Sequence, residues 1–208
     1  NPESGTVTYG YDDSGNLASR LDARNVTTTL AYDGLNRVTQ KSYSDATPAV
    51  TFTYDNCANG QGRLCGVSNS ASATAYEYNA LGRVSASTQT TAARAYRLEY
   101  AYNLAGGLKK LVYPSGRQVT YSFDQAGRAS AVGGYATGIQ YAPHGAVSQM
   151  TLGNGVVETR THNVRLQPVA IAAVKDAATL LSLTNSYGTA NNNGNVQSQA
   201  IQPLGVTQ

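Results

Sequence analysis

The sequence of 208 residues has no tryptophan, one methionine, two phenylalanines and two cysteines. Two cysteines are too few for a fold held together by disulfides. Charged residues make up 13% of the chain, about half the usual share, and the net charge of +3 is weak support for a nucleic-acid surface. No apolar run approaches the roughly 18 residues of a membrane-spanning helix. We therefore expect neither a nucleic-acid partner nor insertion into a membrane.

The residues that are abundant favour β-strands. The chain holds 15 tyrosines and 21 glycines, and 41% of its residues are hydrophobic, which argues against disorder. Tyrosine, together with threonine and valine, is enriched in strands, whereas glycine marks turns. The composition thus predicts many short strands joined by tight turns.

These residues are organised in a repeat of roughly 21 residues, with an aromatic anchor in each copy. The anchors are Tyr11, Tyr32, Tyr54, Tyr78, Tyr102, Phe123, Tyr141, His162 and Tyr187. Four residues of the form Asp/Asn-x-x-Gly follow most anchors and predict a type I turn that ends in a residue with positive φ. The turns begin at Asp12, Asp33, Asp55, Asn79, Asn103 and Asp124, and the positions for positive φ are Gly15, Asn36, Gly82, Gly106, Gly127 and Gly145.

A second turn lies midway between anchors, as at Asp22–Asn25, Tyr113–Gly116 and Leu152–Gly155. One repeat is therefore two strands and two turns, and successive strands pair as an antiparallel meander. We expect an all-β fold of roughly 17 strands in a single array over residues 1–208, without a separate catalytic domain. The Ala- and Leu-rich stretch 168–184 also has helical propensity, but the repeat frame predicts strand, turn at Lys175–Ala177, strand.

The pattern Tyr-Asp-x-x-Gly-Arg-Val resembles the YD repeat of rearrangement-hotspot (Rhs) and teneurin-like proteins. The resemblance runs from Tyr9 to Val196 and is clearest at Tyr32–Thr39, Tyr76–Val84 and Leu111–Arg128. It implies that the sheet is a segment of a β-shell wound as a spiral. In bacterial toxin proteins of the family the shell encloses a C-terminal toxic domain, and in teneurins a similar barrel belongs to an adhesion ectodomain.

Other features of the family are not recognisable in the sequence. Neither the autoproteolytic core region of the toxin-bearing members nor a cargo domain is found. The chain has no initiator methionine or signal peptide and ends within a repeat. We therefore expect an excised piece or a processed subunit that does not close around a cargo by itself.

Two longer polar loops replace the short turn, at residues 55–61 and 188–193. Cys57 and Cys65 flank the first loop, on strands that a hairpin brings together. A disulfide is the favoured interpretation, with free buried thiols or a metal pair as alternatives. Two thiols without a nearby histidine make a poor zinc site, and a disulfide is typical of an oxidising compartment.

The remaining candidates for chemistry also have structural interpretations. His144 falls inside a turn, and His162 takes the anchor position of its repeat, where a packed ring is expected; neither belongs to a recognisable catalytic triad. Arginines recur after the turn and either bind an anionic polymer or solvate one face of the sheet. The tyrosines either stack on sugars or pack between strands. The arginines are Arg37, Arg63, Arg83 and Arg128.

We therefore expect a non-enzymatic structural module, secreted or at the cell surface, with no catalytic residue, metal or cofactor. It belongs to an extracellular or toxin-enclosing shell, and its partners are the rest of its own polypeptide and an enclosed toxin domain. A first alternative is an adhesion or glycan-binding module. A second is a subunit that joins identical copies through open strand edges into a filament.

Overall fold

A computed structural model describes residues 5–188, 190 and 192–203. Thr189 and Asn191 of the second long loop lie outside the described residues. The chain divides into two compact units, Asn1–Ala101 with Leu111–Gln118, and Tyr102–Lys110 with Val119–Gln208. All regular elements in the described part of the chain are β-strands, 18 in number against the roughly 17 expected, and the antiparallel all-β fold is confirmed.

In the first unit, consecutive strands from the first to the ninth pair antiparallel. They are β1 Thr8–Tyr11, β2 Leu17–Leu21, β3 Thr27–Tyr32, β4 Val38–Tyr43, β5 Val50–Tyr54, β6 Leu64–Ser68, β7 Ser72–Tyr78, β8 Val84–Thr91 and β9 Arg94–Tyr102. The order along the chain is thus the order in the sheet, as a meander requires.

The second half of the chain repeats this pattern. The strands are β10 Leu108–Val112, β11 Gln118–Phe123, β12 Ala129–Val132, β13 Ala136–Tyr141, β14 Val147–Leu152, β15 Val157–His162, β16 Pro168–Lys175, β17 Ala178–Ser186 and β18 Ser198–Pro203. In the second unit, each strand from β11 to β18 pairs antiparallel with the next.

The turn at Asp33 illustrates how the frame folds. The Asn36 N–H donates to the Asp33 carbonyl, and the Asp33 N–H donates to the Arg37 carbonyl, both at 3.0 Å. The Asp33 Oδ1 accepts from the N–H groups of Leu35 at 2.9 Å and Arg37 at 3.0 Å. Asn36 closes the turn with φ of 58°, a conformation that asparagine tolerates better than most residues.

Other turns are built in the same way. Side-chain oxygens accept from turn N–H groups at Asp12, Asp22, Asn79, Asn103, Asp124 and Asn163. The closing residues with positive φ are Gly15 (82°), Gly82 (69°), Gly106 (90°), Gly127 (77°) and Gly145 (90°). The turns are therefore specified locally, by one oxygen acceptor and one residue that accepts positive φ.

Seven of the nine anchors lie at a β-bulge. The strand register shifts directly before Tyr11, Tyr32, Tyr54, Tyr78, Phe123, Tyr141 and His162. As a result the anchor pairs with the first residue of the returning strand, as Tyr32 pairs with Val38 and Tyr78 with Val84. A type I turn followed by a residue with positive φ commonly produces this bulge.

The helical alternative for residues 168–184 is wrong. The stretch forms β16 and β17, which pair from Ala170 with Thr184 to Lys175 with Ala178. Asp176 and Ala177 make the tight turn between them, with φ of 46° and 65°. Pairing with neighbouring strands outweighs the weak helical preference of alanine and leucine.

Burial is shallow within both units. The buried hydrophobic residues in the described part of the chain are Cys65, Ala86, Val119, Ala136, Val156 and Tyr187. Most of them are small, whereas most anchors are half-buried. Ladder hydrogen bonds and contacts between repeats therefore stabilise these sheets more than a large apolar core does.

We predict that Asn79→Ala lowers the free energy of unfolding by about 1 kcal/mol, because the N–H groups of Leu81 and Arg83 lose their acceptor. Both bonds to the Asn79 Oδ1 are 3.0 Å long. Asn79→Asp keeps an oxygen at the same place, as Asp33 does, and is the matched control with little change. Denaturant unfolding followed by circular dichroism measures both variants. Equal losses in the two variants would contradict the capping role.

Candidate functional site: the tyrosine–arginine seam

Five anchor tyrosines bind the backbone of the preceding repeat through their hydroxyl groups. In each case the O–H donates to the carbonyl of the residue that begins the preceding returning strand. The pairs are Tyr32 to Leu17 at 2.9 Å, Tyr54 to Val38 at 3.0 Å, Tyr78 to Leu64 at 2.6 Å, Tyr141 to Ala129 at 2.7 Å and Tyr187 to Pro168 at 3.1 Å. The anchor is thus a link between repeats as well as a packed ring.

Arginines of one repeat cover anchor rings of the next. The guanidinium carbon lies 4.4 Å from the ring centroid for Arg37 over Tyr54, 5.5 Å for Arg63 over Tyr78 and 4.4 Å for Arg128 over Tyr141. Such cation–π contacts are worth about 0.5–1 kcal/mol where they are exposed. We call these three arginines and the five hydrogen-bonded tyrosines the tyrosine–arginine seam.

The seam changes the interpretation of the recurring arginines. From sequence they either bind an anionic polymer or solvate a face, yet three of the four lie against tyrosine rings. The fourth, Arg83, occupies the same position after its turn and is half-buried. The guanidinium of Arg63 also lies against Gly82, where an added Cβ would be closer than 3.0 Å to it. Their principal contacts are therefore within the sheet.

Arg37 adds an ion cluster to the seam. Its Nε lies 2.7 Å from the Asp33 Oδ2 of its own turn, and its Nη2 lies 2.7 Å from the Asp55 Oδ2 of the next repeat. The pKa of Asp55 is lowered, and the largest cause is its hydrogen bond with the Arg37 side chain. The pKa of Asp33 is also lowered, and the largest cause is its hydrogen bond with the backbone N–H of Arg37. The two carboxylates in turn raise the pKa of Arg37. The cluster holds both carboxylates ionised.

Acid is therefore expected to destabilise the fold. The pKa values of Asp33, Asp55 and Asp124 are lowered by hydrogen bonds to their charged forms, so their contribution is complete above the ordinary carboxyl pKa of about 3.9. It is lost as the pH falls through the lowered values of the folded protein. We predict a thermal midpoint that falls between about pH 4 and pH 2. The triple Asp→Asn variant at these positions should have a flatter profile; an equally steep profile would contradict this origin.

The two cysteines form a disulfide. Cys57 and Cys65 are joined by a 2.03 Å S–S bond, with their Cα atoms 5.7 Å apart. Cys65 lies in β6 as expected, but the placement of Cys57 on a strand is wrong, because β5 ends at Tyr54 and Cys57 lies in the loop. Gly60 packs directly against it, because an added Cβ would lie closer than 3.0 Å to both sulfur atoms. The free-thiol and metal alternatives therefore do not describe this pair.

The first inserted loop also alters the role of Asp55. Its Oδ1 accepts from the N–H of Gly62 at 2.6 Å, while its other oxygen reaches Arg37. Asp55 itself has φ of 66°, unlike Asp33 in the short turn. In the short turn, the Asp33 carboxylate accepts from the backbone N–H groups two and four residues later. Because the first inserted loop is longer, the Asp55 carboxylate accepts instead from the N–H of Gly62, at the end of the insertion.

Both inserted loops are fixed to neighbouring repeats. In the first, the Asn59 amide donates to the Tyr78 carbonyl at 3.0 Å. In the second, the side-chain amides of Asn192 and Gln167 bond to each other twice, at 2.9 and 3.0 Å. The loops therefore add contacts between repeats.

One repeat of the second unit lacks the seam residues. Phe123 takes the anchor position without a hydroxyl, and Gly107 takes the arginine position. The Phe123 ring lies against Gly107, since a Cβ there would be 2.9 Å from its Cζ. A groove of about 510 Å³ lies beside the ring, lined by Tyr102, Asn103, Leu104, Lys109, Tyr121, Ser122 and Phe123.

The two histidines, placed in different repeats by the sequence, lie in contact. The ring centroids of His144 and His162 are 4.6 Å apart, with the ring planes inclined by 75°. His144 is exposed in its turn and His162 is half-buried at the end of β15, as their positions in the repeat suggested. Their pairing was missed because neither residue gives a local signal for it.

The described residues contain neither a membrane-spanning helix nor a cluster of metal-binding side chains. In this part of the chain, no helix is long and apolar enough to cross a membrane. No group of three or more histidine, cysteine, aspartate or glutamate side chains in the same residues is arranged to hold a metal ion.

The repeat matches a known family. Residues 11–48 match the model of the RHS repeat, which agrees with the resemblance to YD repeats in that part of the sequence. Comparison with curated protein sequences gives no significant match.

Solved structures of toxin complexes have the same fold. A crystal structure of TcdB2–TccC3 matches 96% of this chain with a TM-score of 0.86 and 14% identity. A structure of TcdB2–TccC3 without its hypervariable C-terminal region matches 95% with a TM-score of 0.83 and 15% identity. The pore form of the Photorhabdus luminescens Tc holotoxin with a mutated TccC3 matches 96%, also with a TM-score of 0.83 and 15% identity.

The likeness concerns only part of those larger chains. This chain spans 12% of the first, and 11% of the second and third. At these identities the matches define the fold, which is that of a repeat sheet in a toxin complex. Because the match persists without the hypervariable C-terminal region, the resemblance lies in another part of that chain.

Proposed function

We propose that the chain is a non-enzymatic wall segment of a secreted β-shell that encloses a toxic domain. The observation that carries this proposal is the match of 96% of the chain to a TcdB2–TccC3 toxin complex with a TM-score of 0.86. In proteins that the sequence resembles, YD repeats build such a shell. A wall needs turns, strands and links between repeats, and the recurring residues of this chain supply those three things.

The seam supports a wall role on physical grounds. A sheet with little buried apolar surface gains rigidity when successive repeats are joined by side chains as well as by the backbone ladder. The Tyr54 side chain, for example, is held twice: its hydroxyl donates to the Val38 carbonyl, and the Arg37 guanidinium packs over its ring. These groups are engaged within the sheet, so their recurrence needs no ligand or catalytic step to explain it.

The disulfide supports a secreted location. Cys57 and Cys65 close a short loop, and such bonds persist in oxidising environments outside the cytosol. A toxin shell exported from the cell meets such conditions.

The test is to express the complete open reading frame that encodes this chain and examine it by electron microscopy. We expect a hollow shell with these repeats in its wall, and a downstream segment that resists protease until the shell is opened. A segment cleaved at the same rate in intact and opened protein would overturn the enclosing role. Filaments of chains joined edge to edge would favour an assembly subunit.

A second candidate, glycan binding, is favoured by one observation. The groove beside Phe123 exposes aromatic rings next to Lys109 and Asn103, a combination that suits sugar stacking with polar contacts. We expect glycan-array signals, if this function holds, to disappear in Tyr121→Ala and to persist in Tyr76→Phe, which lies in the other unit. An array without signals for the wild-type chain would reject this candidate and leave the wall proposal intact.

A further inference from the structure

The contact between His144 and His162 departs from the seam. At the neighbouring anchor Tyr141, the ring is covered by Arg128 of the preceding repeat. Here the anchor is His162 at the end of β15, and the residue against it is His144, from the turn between β13 and β14. The sequence has only these two histidines, and the fold brings both to one place.

The ring nitrogens of this pair have no hydrogen-bond partner in the described part of the chain. Among the described residues, none donates to or accepts from a ring nitrogen of His144 or His162. By contrast, the tyrosine hydroxyls at the neighbouring anchors Tyr141 and Tyr187 bond to backbone carbonyls. Neutral imidazoles with free nitrogens are the commonest metal ligands in proteins.

The spacing of the rings suits a shared ion. With metal–nitrogen bonds of about 2.0–2.1 Å, two imidazoles in neighbouring positions of one ion have centroids about 4.5–5 Å apart. The observed separation is 4.6 Å. The χ2 torsion of histidine is broad, and His144 is exposed, so its ring can turn a nitrogen toward the ion at little cost.

We propose that His144 and His162 form a two-histidine site for a divalent transition-metal ion of the kind that imidazole favours, such as Ni²⁺ or Zn²⁺. Water completes the coordination, because the described residues offer no third histidine, cysteine or carboxylate in a metal-binding group. Such an ion fastens the 142–145 turn to the anchor of the next repeat, where the tyrosine–arginine contact is missing.

The test is calorimetric titration of the tag-free chain with Ni²⁺ at neutral pH, with NMR of the imidazole C–H signals. We expect one equivalent to bind in the micromolar range and to perturb both rings. Because the chain has only two histidines, both sets of signals can be assigned by single substitutions. Ni²⁺ at about 100 times its Kd should raise the thermal midpoint of the second unit by about 10 °C.

Variants make the assignment specific. His144→Gln and His162→Tyr should each weaken binding at least about tenfold, since one imidazole is left. His162→Tyr introduces the residue found at other anchors, and circular dichroism verifies its fold. Asp176→Asn, an exposed turn residue, is the matched control and should bind like the wild type. Absence of binding at millimolar Ni²⁺, or equal binding by both histidine variants and the wild type, would overturn the site.

Discussion

Tyr78→Ala is expected to lower the free energy of unfolding by about 3 kcal/mol, which is near the lower end for loss of a large aromatic side chain because Tyr78 is half-buried. Three neighbours meet at this residue. Its hydroxyl donates to the Leu64 carbonyl at 2.6 Å, the Arg63 guanidinium covers its ring at 5.5 Å, and its own carbonyl accepts from Asn59. Alanine removes the first two and leaves the Leu64 carbonyl without its partner.

Tyr78→Phe separates the hydroxyl from the ring. Loss of the bond alone should cost about 1 kcal/mol. The matched control is Tyr76→Phe, two residues earlier on the same face of β7, whose hydroxyl has no hydrogen bond to a described residue. It should change stability by less than about 0.5 kcal/mol. Equal effects of the two Tyr→Phe variants, measured by urea unfolding, would show that the hydroxyl link is not stabilising.

Reduction of the Cys57–Cys65 disulfide is expected to lower the free energy of unfolding by about 2–3 kcal/mol. The bond closes a loop with a sequence separation of 8, for which the loop-entropy model gives this magnitude. Cys65 is also buried, at 5% exposure, and Gly60 packs against both sulfurs, so the loop is fitted to the closed bond.

The measurement compares urea unfolding with and without reductant, with mass spectrometry to verify a gain of two hydrogens. The Cys57→Ser/Cys65→Ser variant should match the reduced protein and should not respond to reductant. An unchanged midpoint in protein shown to be reduced would contradict the prediction. The 55–63 loop should also unfold locally more often in the reduced protein and in the double variant than in the oxidised protein. The reason is that the Asn59 contact to the Tyr78 carbonyl depends on the closed loop.

The turns could be predicted from sequence because their causes are local. One oxygen at Asp33 and one residue with positive φ at Asn36 suffice, and both lie within four positions of each other. Two residues with φ above zero at Ala92 and Ala93 show the limit of this logic, since alanine gives no turn signal in a sequence.

The seam could not be predicted in the same way. The Tyr54 hydroxyl reaches Val38, and Arg37 reaches both the Tyr54 ring and Asp55, across 16 to 18 positions of the chain. Those contacts depend on the strand register and on which side of the strand end each side chain occupies. The available signal was the joint recurrence of an arginine after one turn and a tyrosine at the next anchor, which pairwise comparison of neighbouring repeats would have exposed.

The bulge at the anchors of β1, β3, β5, β7, β11, β13 and β15 makes loop length independent of strand pairing. Tyr32 pairs with Val38 across a short turn, and Tyr54 pairs with Leu64 across a loop with four additional residues (a spacing of 10 instead of 6). The added residues project beyond the strand ends and leave the alignment of β5 with β6 as it is elsewhere. Loops on this edge can therefore lengthen, diversify or acquire a cross-link one at a time during evolution, while the lattice of strands beneath them stays constant.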